Sequence, residues 1–166
     1  LIVDTTPPVI TFTSHTDGQL IGTASPVVTA TVTDNVAVDW SNVTCVAPVG
    51  CTVTNVGDAA TLTLAAALPE GSNTITITAS DAIGNTVSAS ITLVVDSTPP
   101  VITFTSHTDG QLIGTASPVI TATVTDNVAV DWSNVTCTAA VGCTVTNVGD
   151  VATLTLAAAL PGGSNT

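Results

Sequence analysis

The chain has 166 residues, 45% hydrophobic but only 2% aromatic, with no Lys or Arg, 12 acidic residues and a formal charge of −12. Nucleic-acid binding needs cationic side chains to displace counterions from phosphates, so that class is excluded, and an anionic membrane surface is disfavoured for the same reason. With no Lys or Arg to pair with, each carboxylate must be solvated, accept hydrogen bonds or bind a metal ion, and a lysine-dependent isopeptide cross-link is excluded as well.

Thr, Ser, Gly or Pro interrupts every apolar run, so no stretch has the length of a membrane span. Leu1 opens without the basic start and long apolar block of a signal peptide, which suggests a segment internal to a longer precursor or a mature form after cleavage. Leu1-Ile2-Val3-Asp4 reads as the tail of a preceding unit. Thr5-Thr6-Pro7-Pro8 reads as a linker stiffened by consecutive prolines.

From there the alternation has period two, the mark of half-buried strands. Val9 to Thr13 forms strand A. In strand B, Val28, Ala30 and Val32 alternate with Thr29, Thr31 and Thr33. Trp40 to Val46 forms C, with poorer alternation, and Cys51 to Val56 forms D. Leu62 and Leu64 mark E, Ile75, Ile77 and Ala79 mark F, and Val87, Ala89, Ile91 and Leu93 mark G. Asp17-Gly18, Asp34-Asn35, Gly57-Asp58, Pro69-Glu70-Gly71 and Gly84-Asn85 supply the turns. Ala65-Ala66-Ala67 is too short for an independent helix.

Pro7-Pro8-Val9-Ile10-Thr11-Phe12 returns as Pro99-Pro100-Val101-Ile102-Thr103-Phe104, a period of 99 − 7 = 92 residues. Residues 1–74 align with 93–166 without a gap and differ at seven positions, among them Val28/Ile120, Pro48/Ala140 and Glu70/Gly162. The division expected is residues 1–4 as the end of a preceding repeat, 5–96 as repeat 1, and 97–166 as repeat 2 lacking most of F and all of G. Seven short strands in such a unit suit an all-β, immunoglobulin-like sandwich, repeated in a linear array. The Cys spacing departs from that pattern. Cys45 and Cys51, like Cys137 and Cys143, are too close to join strands B and F, and read as a local disulfide across the C–D connection in an oxidising compartment. Reduced thiols or zinc are the alternative, with no zinc-knuckle spacing and no nearby His in zinc's favour.

Thr33-Asp34-Asn35-Val36-Ala37-Val38, Glu70-Gly71-Ser72-Asn73-Thr74-Ile75-Thr76-Ile77, Ala79-Ser80-Asp81-Ala82-Ile83-Gly84-Asn85-Thr86 and Asp96-Ser97-Thr98-Pro99-Pro100 resemble the bacterial immunoglobulin-like repeats of large surface and adhesin proteins. The resemblance covers the whole chain. It implies a secreted stalk or fibre module, often stabilised by calcium. The local cysteine pair and the lack of Lys are departures from the family pattern.

Strand order places Asp4, the B–C loop residues Asp34 and Asn35, and the F–G loop residues Asp81 and Asn85 at one pole. Asp39 is a further candidate. Hard oxygen ligands free of competing protein cations suit Ca2+ at a repeat junction. Asp96, Asp126 and Asn127 repeat the set. The alternative is that these residues are ordinary turn formers. Ser14, His15 and Asp17 share one turn and read as a polar A–B loop rather than a catalytic triad, and nothing singles out a glycosidase pair, so no enzyme activity is expected. Asn42-Val43-Thr44 and Asn134-Val135-Thr136 are N-glycosylation sequons.

The function expected is a structural repeat of an extracellular stalk or adhesin that provides extension and rigidity, with neighbouring repeats as its partners. One alternative is a filament subunit assembled by contacts or strand exchange with other copies. Another is an accessory module of a secreted carbohydrate enzyme, which exposed aromatic residues would favour.

Overall fold

Alternating apolar and hydroxyl residues build nearly every strand, because a pleated ribbon turns one set inward and the other outward. The computed structural model describes residues 3–165. Leu1 and Ile2, half of the expected tail of a preceding unit, lie outside it, as does Thr166. The chain divides into two compact units, one ending at Ser97 and the other beginning at Thr98.

Among the described residues, the first unit holds eight strands: β1 (Val9–Phe12), β2 (Gln19–Ile21), β3 (Val28–Thr33), β4 (Thr44–Val46), β5 (Cys51–Val56), β6 (Ala59–Leu64), β7 (Gly71–Ser80) and β8 (Thr86–Val95). They form two four-stranded sheets, ordered β1-β3-β6-β5 and β2-β8-β7-β4. Val28, Ala30 and Val32 point inward from β3, and Ile75, Ile77 and Ala79 from β7, each at most 1% exposed. On the outer face of the β7–β8 hairpin the hydroxyls of Thr76 and Ser90, Thr78 and Ser88, and Ser80 and Thr86 pair across the strands at 2.8, 2.8 and 2.9 Å. None of the 12 acids lies on a strand, so hydroxyls rather than charges hydrate the sheets.

Two features differ from the sequence reading. The unit has eight strands rather than seven, because the chain switches sheets after strand A. β1 pairs antiparallel with β3, and β2 then pairs in parallel with β8. β2 is only three residues long and buries only Ile21, so it carries no alternation to read. Strand C is also shorter than expected. Trp40–Asn42 is a 3-10 turn whose N-cap Asp39 accepts from the Ser41 N–H at 3.1 Å, and only Thr44–Val46 pairs with β7. The turn accounts for the poor alternation there.

Cys45 and Cys51 are bonded, with Cα atoms 5.9 Å apart. The bridge ties β4, at the edge of one sheet, to β5, at the edge of the other. Cys137 and Cys143 are bonded in the same way in the second unit.

That unit contains β9 (Val101–Phe104), β10 (Ile120–Thr125), β11 (Cys143–Val148) and β12 (Val151–Leu156) in one sheet, ordered β11-β12-β10-β9. This is the first sheet of the other unit repeated strand for strand. Residues 111–113 and 136–138, the equivalents of β2 and β4, form no strand here.

Candidate metal centre

Asp4, Asp34 and Asp81 come from three separate segments: the leading linker, the turn after β3 and the turn after β7. Strand direction brings them together, since β3 and β7 end at the pole where the chain enters β1. One carboxylate oxygen from each lies within 4.8 Å of the other two. No other group of three His, Cys, Asp or Glu ligands gathers in this way among the described residues.

Each carboxylate is held by its own loop. Asp34 Oδ2 accepts from the N–H groups of Val36 and Ala37 at 2.8 and 3.0 Å. Its Oδ1 is buried without a hydrogen-bond partner. Asp81 is 3% exposed, and its Oδ1 accepts from the N–H groups of Ile83, Gly84 and Asn85 at 3.0, 2.7 and 2.8 Å. Burial pushes the Asp81 carboxyl pKa up, but hydrogen bonds from the Asn85 side chain and from these backbone groups outweigh it and hold the pKa below its ordinary 3.8. Asp81 is therefore ionised at neutral pH although it is buried.

The two asparagines sit between the acids. Asn35 Nδ2 donates to Asp4 Oδ1 at 3.2 Å, and Asn85 Nδ2 donates to Asp81 Oδ2 at 2.6 Å and to the Asp4 carbonyl at 3.4 Å. Turning either amide over would present an oxygen in place of the donor.

Three carboxylates this close repel one another, and the chain has no Lys or Arg to offset them. Two oxygens on one Ca2+ at about 2.3–2.6 Å lie at most about 5 Å apart, so the spacing fits a shared ion. The donor set is all oxygen and hard, which suits Ca2+ over zinc or copper. The buried, unpartnered Asp34 Oδ1 is a further acceptor such an ion would use.

The other sequence-selected residues are placed differently. Asp39 caps the 3-10 turn, accepting from the Ser41 hydroxyl at 2.6 Å and from Asn42 Nδ2 at 2.7 Å, so the sequon amide of Asn42 is tied to Asp39. Asn134 is tied to Asp131 at 2.6 Å in the same way. Asp126 Oδ1 accepts from the N–H groups of Val128 and Ala129, and Asn127 lies beside it in the turn after β10. The Asp96 N–H donates to the Ile21 carbonyl at 3.0 Å, and its Oδ1 is buried without a partner.

Ser14 Oγ lies 2.7 Å from His15 Nδ1, and Ser106 and His107 repeat the pair at 2.8 Å. Ser14 Oγ also accepts from the Thr29 N–H, while Asp17 directs its carboxylate to the Thr92 N–H. These bonds fasten the β1–β2 loop to both sheets. The sequence reading missed one anchor. Asn73 is 1% exposed, and its Nδ2 donates to the carbonyls of Pro69 and Gly71 at 2.8 Å each, pinning the turn before β7.

Among the described residues, no helix is long and apolar enough to cross a membrane. No protein-family model and no curated protein sequence matches the chain. Among solved structures, it is similar to an I-band fragment of titin, at 18% identity with a TM-score of 0.60, over 92% of this chain and 56% of that one. It is similar to a three-immunoglobulin-domain titin structure carrying a Glu-to-Ala change, also at 18% identity and a TM-score of 0.60, over 90% of this chain and 55% of the other. The chain thus spans little more than half of either structure. At this identity the likeness is one of fold: the chain is an all-β protein with an immunoglobulin-like sandwich.

Proposed function

We propose that the chain is a spacer module of an extracellular surface or fibre protein, and that Ca2+ bound by Asp4, Asp34 and Asp81 locks its linker to its sandwich. The observation that carries this reading is the convergence of three carboxylates from three segments within 4.8 Å, in a chain with no cationic side chain except two His. The immunoglobulin-like fold, found in structural proteins such as titin, supports a mechanical role. The disulfides support an oxidising compartment. Holding Asp4 against two sheet-end loops fixes the direction in which the Pro7-Pro8 linker enters β1, which is what a stiff spacer requires.

The test is thermal unfolding of the chain in EDTA and in millimolar Ca2+. With a dissociation constant of about 10⁻⁴–10⁻³ M, millimolar ion lies at about one to ten times that constant and adds about 0.4–1.4 kcal/mol to the folded state, a shift of about 2–10 °C. Superimposable curves would remove calcium from the account. A filament subunit is a second reading, favoured by β5, an edge strand without Lys, Arg, Asp, Glu or Pro to guard it. A strict monomer in sedimentation at high concentration, with and without Ca2+, would count against it.

A further inference from the structure

Each sheet of the first unit ends in two edge strands, and three of these four edges are guarded. β1 follows directly on Pro7-Pro8, and β2 and β4 have only three residues each. Proline and short length both keep an edge from pairing with another chain. β5 is six residues long, Cys51-Thr52-Val53-Thr54-Asn55-Val56, with no charge and no proline, and Thr52, Thr54, Asn55 and Val56 are exposed. Its ladder with β6 fixes which main-chain groups face outward. The Ala65 N–H donates to the Gly50 carbonyl at 3.0 Å, and in antiparallel strands hydrogen-bonded pairs alternate with non-bonded ones. Thr52, Thr54 and Val56 therefore turn their N–H and C=O groups toward β6, and Cys51, Val53 and Asn55 turn theirs to the open edge.

We propose that this edge docks the same edge of a second copy of the chain, the two β5 strands joining antiparallel about a two-fold axis with Val53 opposite Val53. This gives the filament reading its contact and rests on that reading, while being independent of the proposed cation. The outward groups are two residues apart and centred on Val53, so a two-fold axis brings them into register with themselves. Cys51 meets Asn55, Val53 meets Val53 and Asn55 meets Cys51, each pair exchanging two main-chain hydrogen bonds. Thr52 then stands opposite Thr54 at a non-hydrogen-bonded position, where side chains come closest. Their hydroxyls can pair there, as those of Thr13 and Thr29 do across β1 and β3 at 2.8 Å. Charge favours this arrangement as well. A chain of charge −12 repels its copy unless the contact keeps carboxylates apart. The acid nearest β5 in sequence is Asp58, in the turn past Val56, so antiparallel pairing sends the two copies of Asp58 to opposite ends. β11 has the same six residues at the edge of its sheet, and the Ala157 N–H donates to the Gly142 carbonyl at 3.0 Å, so each repeat carries one such edge.

The test is sedimentation of the chain over a concentration series, with amide exchange on the same samples. The expected result is reversible association, with concentration-dependent protection at the amides of Cys51, Val53 and Asn55 and of Cys143, Val145 and Asn147. Thr52 and Thr54, whose N–H groups already face β6, should gain none. Val53→Pro combined with Val145→Pro removes the central donor from each edge. Proline is tolerated on an edge strand where the N–H faces solvent, so the fold should stand while losing two hydrogen bonds weakens association at least roughly tenfold. Should the prolines disturb the strands, Thr52→Asp with Thr54→Asp, and the same changes at Thr144 and Thr146, set like charges opposite each other on the exposed face and should weaken association to a similar degree. A strict monomer at every concentration would overturn both the proposal and the filament reading. Association that neither set of variants weakens, or protection that appears away from these amides, would overturn the β5 contact and leave the filament reading standing.

Discussion

Replacing Cys45 and Cys51 by Ser tests how the two sheets are held at their shared edge. β4 has three residues and pairs only with β7, so the bridge to β5 adds a second covalent tie to the opposite sheet beside the short connection through residues 47–50. The bond closes a ring of seven residues, counting both cysteines, since the sequence separation is 6. Loop-closure entropy for a ring that size comes to about 2 kcal/mol in the unfolded chain. In a domain this small that is a fall of roughly 10–15 °C in melting temperature. Urea unfolding on a Trp132→Phe background isolates the first unit, because Trp40 packs against its core. The midpoint should fall with little change in slope, because so short a ring barely alters how far the unfolded chain expands. A loss under about 0.5 kcal/mol would refute the ring-entropy reasoning, and one above about 4 kcal/mol would mean that the bridge holds native packing rather than constraining the unfolded chain.

Leu62 is 1% exposed at the centre of β6, and Leu62→Ala should cost about 2–5 kcal/mol in the same urea assay, whereas a loss under 1 kcal/mol would mean the core closes around the gap. Asp39 and Asp131 have carboxyl pKa values held below the ordinary 3.8 by hydrogen bonds from the Ser41 and Ser133 side chains first and the Asn42 and Asn134 side chains next. Their contribution is fully present above 3.8 and is lost as pH falls through the lowered folded values, because the unfolded state takes up protons first. Asp39→Asn should therefore flatten the decline of melting temperature on acidification, and an unchanged decline would show that the cap contributes nothing.

How much could be read from sequence depended on whether a residue's role was local. The long strands were legible because Val28-Thr29-Ala30-Thr31-Val32 and Ile75-Thr76-Ile77 alternate over enough positions to fix which face is buried. The gathering of Asp34 and Asp81 was legible because strand direction determines the pole at which each loop lies. Asp39 was not separable from that set by sequence, because an Asp before a 3-10 turn and an Asp in a ligand loop look alike until the partners Ser41 and Asn42 are seen. β2 escaped notice because its pairing with β8 spans more than 70 residues and leaves no periodic trace in three residues. Asn73 escaped for the opposite reason. It sits at an apolar position within a clear alternation, and only the turn it pins explains a buried amide.

Calorimetric titration of Ca2+ into the intact chain and into its Asp34→Asn variant tests the proposed centre most directly. Asn keeps an oxygen for the N–H groups of Val36 and Ala37, so the turn survives while a charged ligand is lost. The account predicts one ion per chain, with a dissociation constant of about 10⁻⁴–10⁻³ M, as for extracellular modules, and the loss of binding in the variant. Absence of binding to the intact chain, or equal affinity in the variant, would contradict it.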